Sequence, residues 1–395
     1  MSLPAIDYLD WIEGRPESVE HDLGSSDLRG AAARDPDVVV PERLAGLPDP
    51  GPNPDPDPDG VTVREAVAAT YEVSPGNVLV TAGASPANAV AAAAALDEAD
   101  PAPDAAASTA EDYLAFEDGF DPSGSVLVEK PAYEPLVDTP QLFGARVDRF
   151  LRRASADWRL DPEQIEAALV DDTALVTVTN RHNPTGRLTA RETLAEAAAV
   201  AGAHDARLLV DEVYAPYVLP ADGDDAEHAF GGVTAAGLDG VVVTGSLTKF
   251  HGLGGLGVGW LIADEAFVER AERVGRHFPS LPGPSRALGR RALANREALE
   301  RDSRDLLGRN ADLLATFVEG RADLAGPVYE GSSYALLTHE RADGDAVAET
   351  ALDRDLLVVP GRFFETPDRF RVSLGRDGVH VREALDVLGG VCDDL

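Results

Sequence analysis

Seven short Val/Leu-rich runs place the tightest constraint on this chain: NVLVTAG from Asn77, SVLVEKP from Ser125, GARVDRF from Gly144, ALVTVTN from Ala174, ARLLVDE from Ala206, GVVVTGS from Gly240 and GVGWLIA from Gly257. Helical patterns lie between or before them, notably VTVREAVAATYEV from Val61, an alanine-rich stretch after Ser85 and ARETLAEAAAVAGAH from Ala190. Strands that are apolar at consecutive positions are buried on both faces, as happens when helices cover a parallel sheet on both sides. The alternation predicts an α/β fold with three layers around a mainly parallel sheet. In such sheets ligand sites form beyond the carboxyl ends of the strands.

After about residue 263 the pattern changes to long helices (DEAFVERAERV, then PSRALGRRALANREALERDSRDLLGRNADLLATFVEG), followed by YALLT, LLVVPG and FRVSLG. This reads as a smaller α+β domain, and a chain of 395 residues is long enough for two. The expected division is an N-terminal segment over 1–46 packing with the small domain, a connector over 47–60, a large domain over 61–265, and the small domain over 266–395. The connector LPDPGPNPDPDPDG alternates proline with Asp, Asn and Gly, which keeps it extended. Residues 99–124 read as an acidic surface insertion within the large domain.

Asp and Glu number 70 against 34 basic residues, for a formal net charge of -36. Such a surface repels nucleic acid and anionic membranes, so neither is an expected partner. Of the basic residues only Lys130 and Lys249 are lysines. An acidic, lysine-poor surface reads as adaptation to multimolar salt, where self-repulsion is screened over a few ångströms. The single cysteine, Cys392, excludes an internal disulfide and points to a reducing cytoplasm. The N-terminus lacks the pattern of a signal peptide, and no apolar run approaches a membrane span.

Polar or glycine-rich clusters follow the strands: Gly83-Ala84-Ser85, Pro131-Ala132-Tyr133, Asn183-Pro184-Thr185-Gly186, Asp211-Glu212-Val213-Tyr214, Ser246-Leu247-Thr248-Lys249, and the glycine series from Gly252 to Gly259. Arg371 lies further on, in FRVSLG. In this order, over roughly residues 60–375, they resemble the fold-type I enzymes of aminotransferase classes I and II, which use pyridoxal 5'-phosphate (PLP).

The resemblance implies the PLP-dependent transferase fold and assigns roles. Lys249 would hold the cofactor as an imine and, once freed, act as general base. Asp211 would keep the pyridine nitrogen protonated so that the ring draws electrons. Tyr214 and Asn183 match the donors to the phenolic oxygen, and Tyr133 the aromatic that covers the ring. Gly83, Ala84 and Ser85 would cradle the phosphate at a helix start, with Ser246 as a second hydroxyl donor. Arg371, with Asn183, would grip the substrate carboxylate. No metal is implied. One position departs from the pattern: KFHGLGGLG places Gly257 where the family carries an arginine for the phosphate, a contact worth roughly 1.5–3 kcal/mol.

The implied activity is transfer of an amino group from an L-amino acid to a 2-oxo acid, by a ping-pong route in a homodimer whose subunits complete each other's sites. Two alternatives stay open. SLTKF also resembles the lysine segment of decarboxylases and lyases of the same fold, such as threonine-phosphate decarboxylase. The loss at Gly257 would also suit a non-catalytic homologue.

Overall fold

The computed structural model describes residues 5–28, 40–49, 61–99, 124–214 and 233–395. The expected connector falls almost wholly outside them, as does the expected insertion over 99–124. The strands are β1 (His21–Asp22), β2 (Val78–Thr81), β3 (Ser125–Lys130), β4 (Arg146–Leu151), β5 (Thr173–Thr179), β6 (Arg207–Asp211), β7 (Val241–Ser246), β8 (Gly259–Ile262), β9 (Leu324–Ala325), β10 (Tyr334–His339), β11 (Leu356–Leu357), β12 (Val359–Pro360) and β13 (Arg369–Ser373). The helices are α1 (Asp7–Ile12), α2 (Val63–Thr70), α3 (Ala84–Ala99), α4 (Glu134–Asp138), α5 (Pro162–Glu166), α6 (Arg191–Gly202), α7 (Glu265–Gly275), α8 (Gly283–Ala294), α9 (Arg296–Glu319), α10 (Gly344–Leu352) and α11 (Gly378–Asp394).

All seven apolar runs enter one sheet, in the order β2-β8-β7-β6-β5-β3-β4. Every pairing is parallel except those of β8, which runs antiparallel to both of its neighbours. The period of two along each strand divides its residues between two cores. Leu127, Val176, Leu208, Val210, Val241, Val243 and Trp260 face one core with α2, α6 and α8. Val126, Val128, Leu175, Leu209, Val242 and Leu261 face the other with α3 and α7. Glycine makes two close approaches possible here. A Cβ at Gly245 would lie 2.6 Å from Trp260 Nε1, and one at Gly259 would lie 2.3 Å from the carbonyl carbon of Gly83.

A third core gathers β10, β13, α9, α10 and α11 with Leu23 and Leu28 from the N-terminal segment. There β9, β10, β13 and β12 form an antiparallel sheet, and β1 pairs in parallel with β11. The helices α7 and α8 pack on the seven-stranded sheet, and the long helical pattern breaks between α8 and α9 at Asn295. A few of the acidic residues have structural work at helix starts, where Asp161, Asp264, Asp343 and Asp377 accept backbone N–H bonds as N-caps.

Below the carboxyl end of β5 lies a buried ion pair. Arg152 Nη1 donates to Glu129 Oε2 at 2.8 Å, and both side chains are fully shielded from solvent. Arg152 also donates to the Trp158 carbonyl and the Thr189 hydroxyl. Glu129 Oε1 accepts from both Thr179 N and Thr179 Oγ1 at 2.7 Å. Thr179 Oγ1 in turn accepts from the backbone N–H of Asn183 at 2.9 Å. The pair therefore fixes the turn that carries Asn183. Replacing Arg152 with Met strands the Glu129 carboxylate and should cost about 3–5 kcal/mol in denaturant unfolding. The double variant Glu129→Gln/Arg152→Met should recover most of that loss.

Glu212, at the end of β6, accepts from Thr234 Oγ1 at 2.7 Å and Ala235 N at 2.6 Å. Burial still pushes its carboxyl from an ordinary 4.5 up to about 8. The folded state thus binds more protons at Glu212 than the unfolded state, so this contribution to stability falls as pH rises from 4.5 to 8. Unfolding titrations should show the wild type losing up to roughly 1.4 kcal/mol per pH unit relative to Glu212→Gln across that window.

Candidate active site

The carboxyl ends of β2, β3, β5, β6 and β7 open onto a cavity of about 370 Å³, within the range of small-molecule pockets. Every site residue singled out in the sequence lines it: Gly83, Ala84, Ser85, Tyr133, Asn183, Asp211, Tyr214, Ser246, Lys249 and Arg371. The structure also brings in Tyr8, Ser26, Asn88 and Thr179, which sequence reasoning missed. Asn88 carried a signal, being a lone amide in an alanine-rich helix. Tyr8 and Ser26 sit in a mixed polar segment that offers no periodicity to distinguish them.

Asp211 ends β6 and is 4% exposed. Its Oδ2 accepts from Asn88 Nδ2 at 2.9 Å and its Oδ1 from Val213 N at 3.1 Å. Thr244 Oγ1 donates to Asn88 Oδ1, which fixes the amide's orientation. Burial raises the carboxyl's pKa, and the Asn88 and Val213 bonds and the nearby Lys249 offset this only in part. A buried carboxylate in that condition favours a further cation or N–H donor.

Lys249 follows β7, is half-buried, and donates from Nζ to Ser26 Oγ at 3.2 Å. Burial works against its charge, but Tyr214, Asp27, Tyr133 and Tyr8 around it outweigh burial and hold the ammonium form. The Tyr214 hydroxyl also donates to Ser26 Oγ, at 2.9 Å. Its ring packs edge-on against Tyr334 with centroids 5.0 Å apart. Tyr133 meets the Tyr8 ring at 5.9 Å and 79°. Burial raises the pKa of its phenol, so the ring stays neutral.

Arg371 lies on β13, across the cavity from the seven-stranded sheet, and is 1% exposed. Nη1 donates to Asn183 Oδ1 at 2.9 Å, and Nη2 to the Gly24 carbonyl at 3.2 Å and Tyr8 Oη at 3.3 Å. The guanidinium lies over the rings of Phe364, Tyr334 and Tyr8. Its Nε is buried without a hydrogen-bond partner, and among the described residues no carboxylate pairs with it. A buried guanidinium with neutral neighbours is one suited to an anion from outside.

At the other end of the cavity Gly83 adopts φ +108° and leads into α3, so the helix start faces the cavity together with Ser85. Ser246 Oγ accepts from Thr248 N at 3.2 Å. Gly257 lines the cavity with φ +58°, and a Cβ there would meet nothing within 4 Å. The place where the resembled pattern carries an arginine is thus open space. The set as a whole fits pyridoxal phosphate: an amine, a carboxylate short of a cation, hydroxyl donors, an aromatic face and an anion-ready helix start.

Residues 22–388 match the family described as aminotransferase class I and II. The chain is 25% identical over 274 residues to the aspartate aminotransferase of Streptomyces avermitilis, and the match spans 66% of each chain, just short of two thirds of that relative's length. It is 26% identical over 381 residues to the capreomycidine synthase of Streptomyces vinaceus, covering 94% of this chain and 90% of the relative. A solved PLP-dependent aminotransferase from Streptococcus suis shares the fold, with a TM-score of 0.77 at 19% identity over 100% of this chain and 99% of that one. Matched from its first strand into its last helix, the chain belongs to the aminotransferase class I and II family, whose members depend on pyridoxal phosphate.

Proposed function

We propose that the protein is a PLP-dependent aminotransferase that moves an amino group from an L-amino acid to a 2-oxo acid. The observation that carries this reading is the pairing, across one cavity, of the Lys249 amine beside the Asp211 carboxylate with a buried Arg371 that has no carboxylate partner among the described residues. Bound at this site, pyridoxal phosphate supplies an aldehyde that takes up amines and a ring that withdraws electrons from the adjacent carbon.

The chain's own groups do the rest. Asp211, held by Asn88 and the Val213 N–H, would keep a proton on the pyridine nitrogen. Asn183 would supply a donor to the phenolic oxygen, Tyr214 would supply a second once its hydroxyl turns from Ser26, and Tyr133 would close one face. The Gly83–Ser85 turn and Ser246 hold the phosphate with amides and hydroxyls. Arg371, steadied by Asn183, takes the substrate carboxylate in a planar fork and so presents the α-carbon toward Lys249. Lys249 Nζ, once relieved of its proton, moves the α-proton as general base. The reading extends to a homodimer in a salt-rich cytoplasm. The net charge of -36 and the near-absence of lysine support the salt-rich setting, and no described helix is long and apolar enough to cross a membrane.

A second reading, a non-transaminating reaction on the same cofactor, is favoured by one observation: the match to capreomycidine synthase runs over 94% of this chain. An amino-donor screen in high salt, following both keto acid formation and the cofactor's absorbance, separates the two. Amine transfer with ping-pong kinetics is the expected result, and release of carbon dioxide without keto acid would overturn it. Lys249→Ala should lose at least about 10²-fold in turnover. Arg371→Leu should lower kcat/KM by about 10- to 100-fold, the worth of a charge-assisted contact to the carboxylate.

A further inference from the structure

One hydroxyl touches both of the side chains that this reading makes central. Ser26 lies four residues past β1, is 6% exposed and lines the cavity. Its Oγ accepts from Tyr214 Oη at 2.9 Å and from Lys249 Nζ at 3.2 Å. A serine oxygen has two acceptor lone pairs, and these two donors occupy both.

The segment around Ser26 is fixed on either side. Leu23 N donates to the Leu357 carbonyl at 2.9 Å, and the Leu23 carbonyl accepts from Ser373 N at 2.7 Å. The Gly24 carbonyl accepts from Arg371 Nη2. Leu28 N donates to the carbonyl of Lys249 itself at 3.1 Å. The hydroxyl is therefore presented by a strap pinned to the small domain on one side and to the lysine's own backbone on the other.

We infer that Ser26 is a positioning residue, resting on the aminotransferase reading: its hydroxyl holds the Lys249 amine and the Tyr214 phenol on one side of the cavity and sets how readily the amine gives up its proton. Among the described residues, the groups facing Nζ are the hydroxyls of Tyr214, Tyr133 and Tyr8, the carboxylates of Asp27 and Asp211, and Ser26. Among these, Ser26 Oγ accepts directly from Nζ. An acceptor in that position favours the ammonium over the free amine. Removing it frees the amine at a lower pH.

The chain's lysine content makes a direct test practical, since only Lys130 and Lys249 can react with an amine-acylating reagent away from the N-terminus. Lys130, in an ion pair with Glu365 at 2.8 Å, serves as the internal reference. The full-length chain, before loading with cofactor, is labelled briefly with acetic anhydride at fixed pH in high salt, and both lysine peptides are quantified by mass spectrometry. In Ser26→Ala the Lys249/Lys130 labelling ratio should rise about tenfold, one pH unit of lost stabilisation of the ammonium. Ser26→Thr, which retains a hydroxyl, should stay at the wild-type ratio. If Ser26→Ala does not fold, Ser26→Gly carries the same comparison. An unchanged ratio in a folded Ser26→Ala or Ser26→Gly protein overturns the inference, even if its melting temperature falls. An enzyme that transfers amines while the ratio stays flat refutes only the part given to Ser26. A wild type with no amine transfer refutes the aminotransferase reading without altering this measurement.

Discussion

A sheet covered on both faces leaves its strand ends as the place where polar groups can gather. In the seven-stranded sheet most interior positions are filled by Val and Leu, shared between two apolar cores, with Thr177 a buried exception in β5. Chemistry is therefore confined to the rim where strands run out. Asp211, Lys249, Asn183 and Tyr133 follow four strands that are neighbours in the sheet, and Gly83 follows β2, one strand removed from β7 across β8. The fold concentrates unlike groups in one place without requiring any of them to be neighbours along the chain.

The rim needs its own support, and buried polar networks supply it. Glu129 and Arg152 hold Thr179, which holds the turn of Asn183, which meets Arg371 from the four-stranded sheet. Thr244 and Asn88 do the same for Asp211. These contacts exclude water and run between rigid elements, so the groups they orient lose little further freedom when a ligand arrives. Arginine suits the buried positions in this network, because its planar fork can satisfy several acceptors at once, as Arg152 does with Glu129, Trp158 and Thr189.

The sequence made the sheet legible because consecutive apolar residues flanked by helical patterns have few other solutions. All seven runs proved to be strands, and the residues named at their ends meet at one cavity. The antiparallel course of β8 was not legible, since a four-residue apolar strand reads the same in either direction. Helix α1 was missed because six residues leave too few turns for a period to show. Ser26, Tyr8 and Asn88 act through long-range contacts, with 188 positions between Ser26 and Tyr214. A local pattern carries no trace of such a partner. Gly257 was legible as a departure, and the structure adds that a Cβ there would meet none of the described residues within 4 Å.

The pairing of β1 with β11 has a consequence for how the molecule comes into being. Tyr8 and the Gly24 carbonyl accept hydrogen bonds from Arg371, which follows them by more than three hundred residues. The sheet that carries Lys249 is complete by Ile262, more than a hundred residues before that arginine is made. During synthesis a chain can therefore hold a folded large sheet and the Lys249 amine while the wall of the cavity that Arg371 forms does not yet exist.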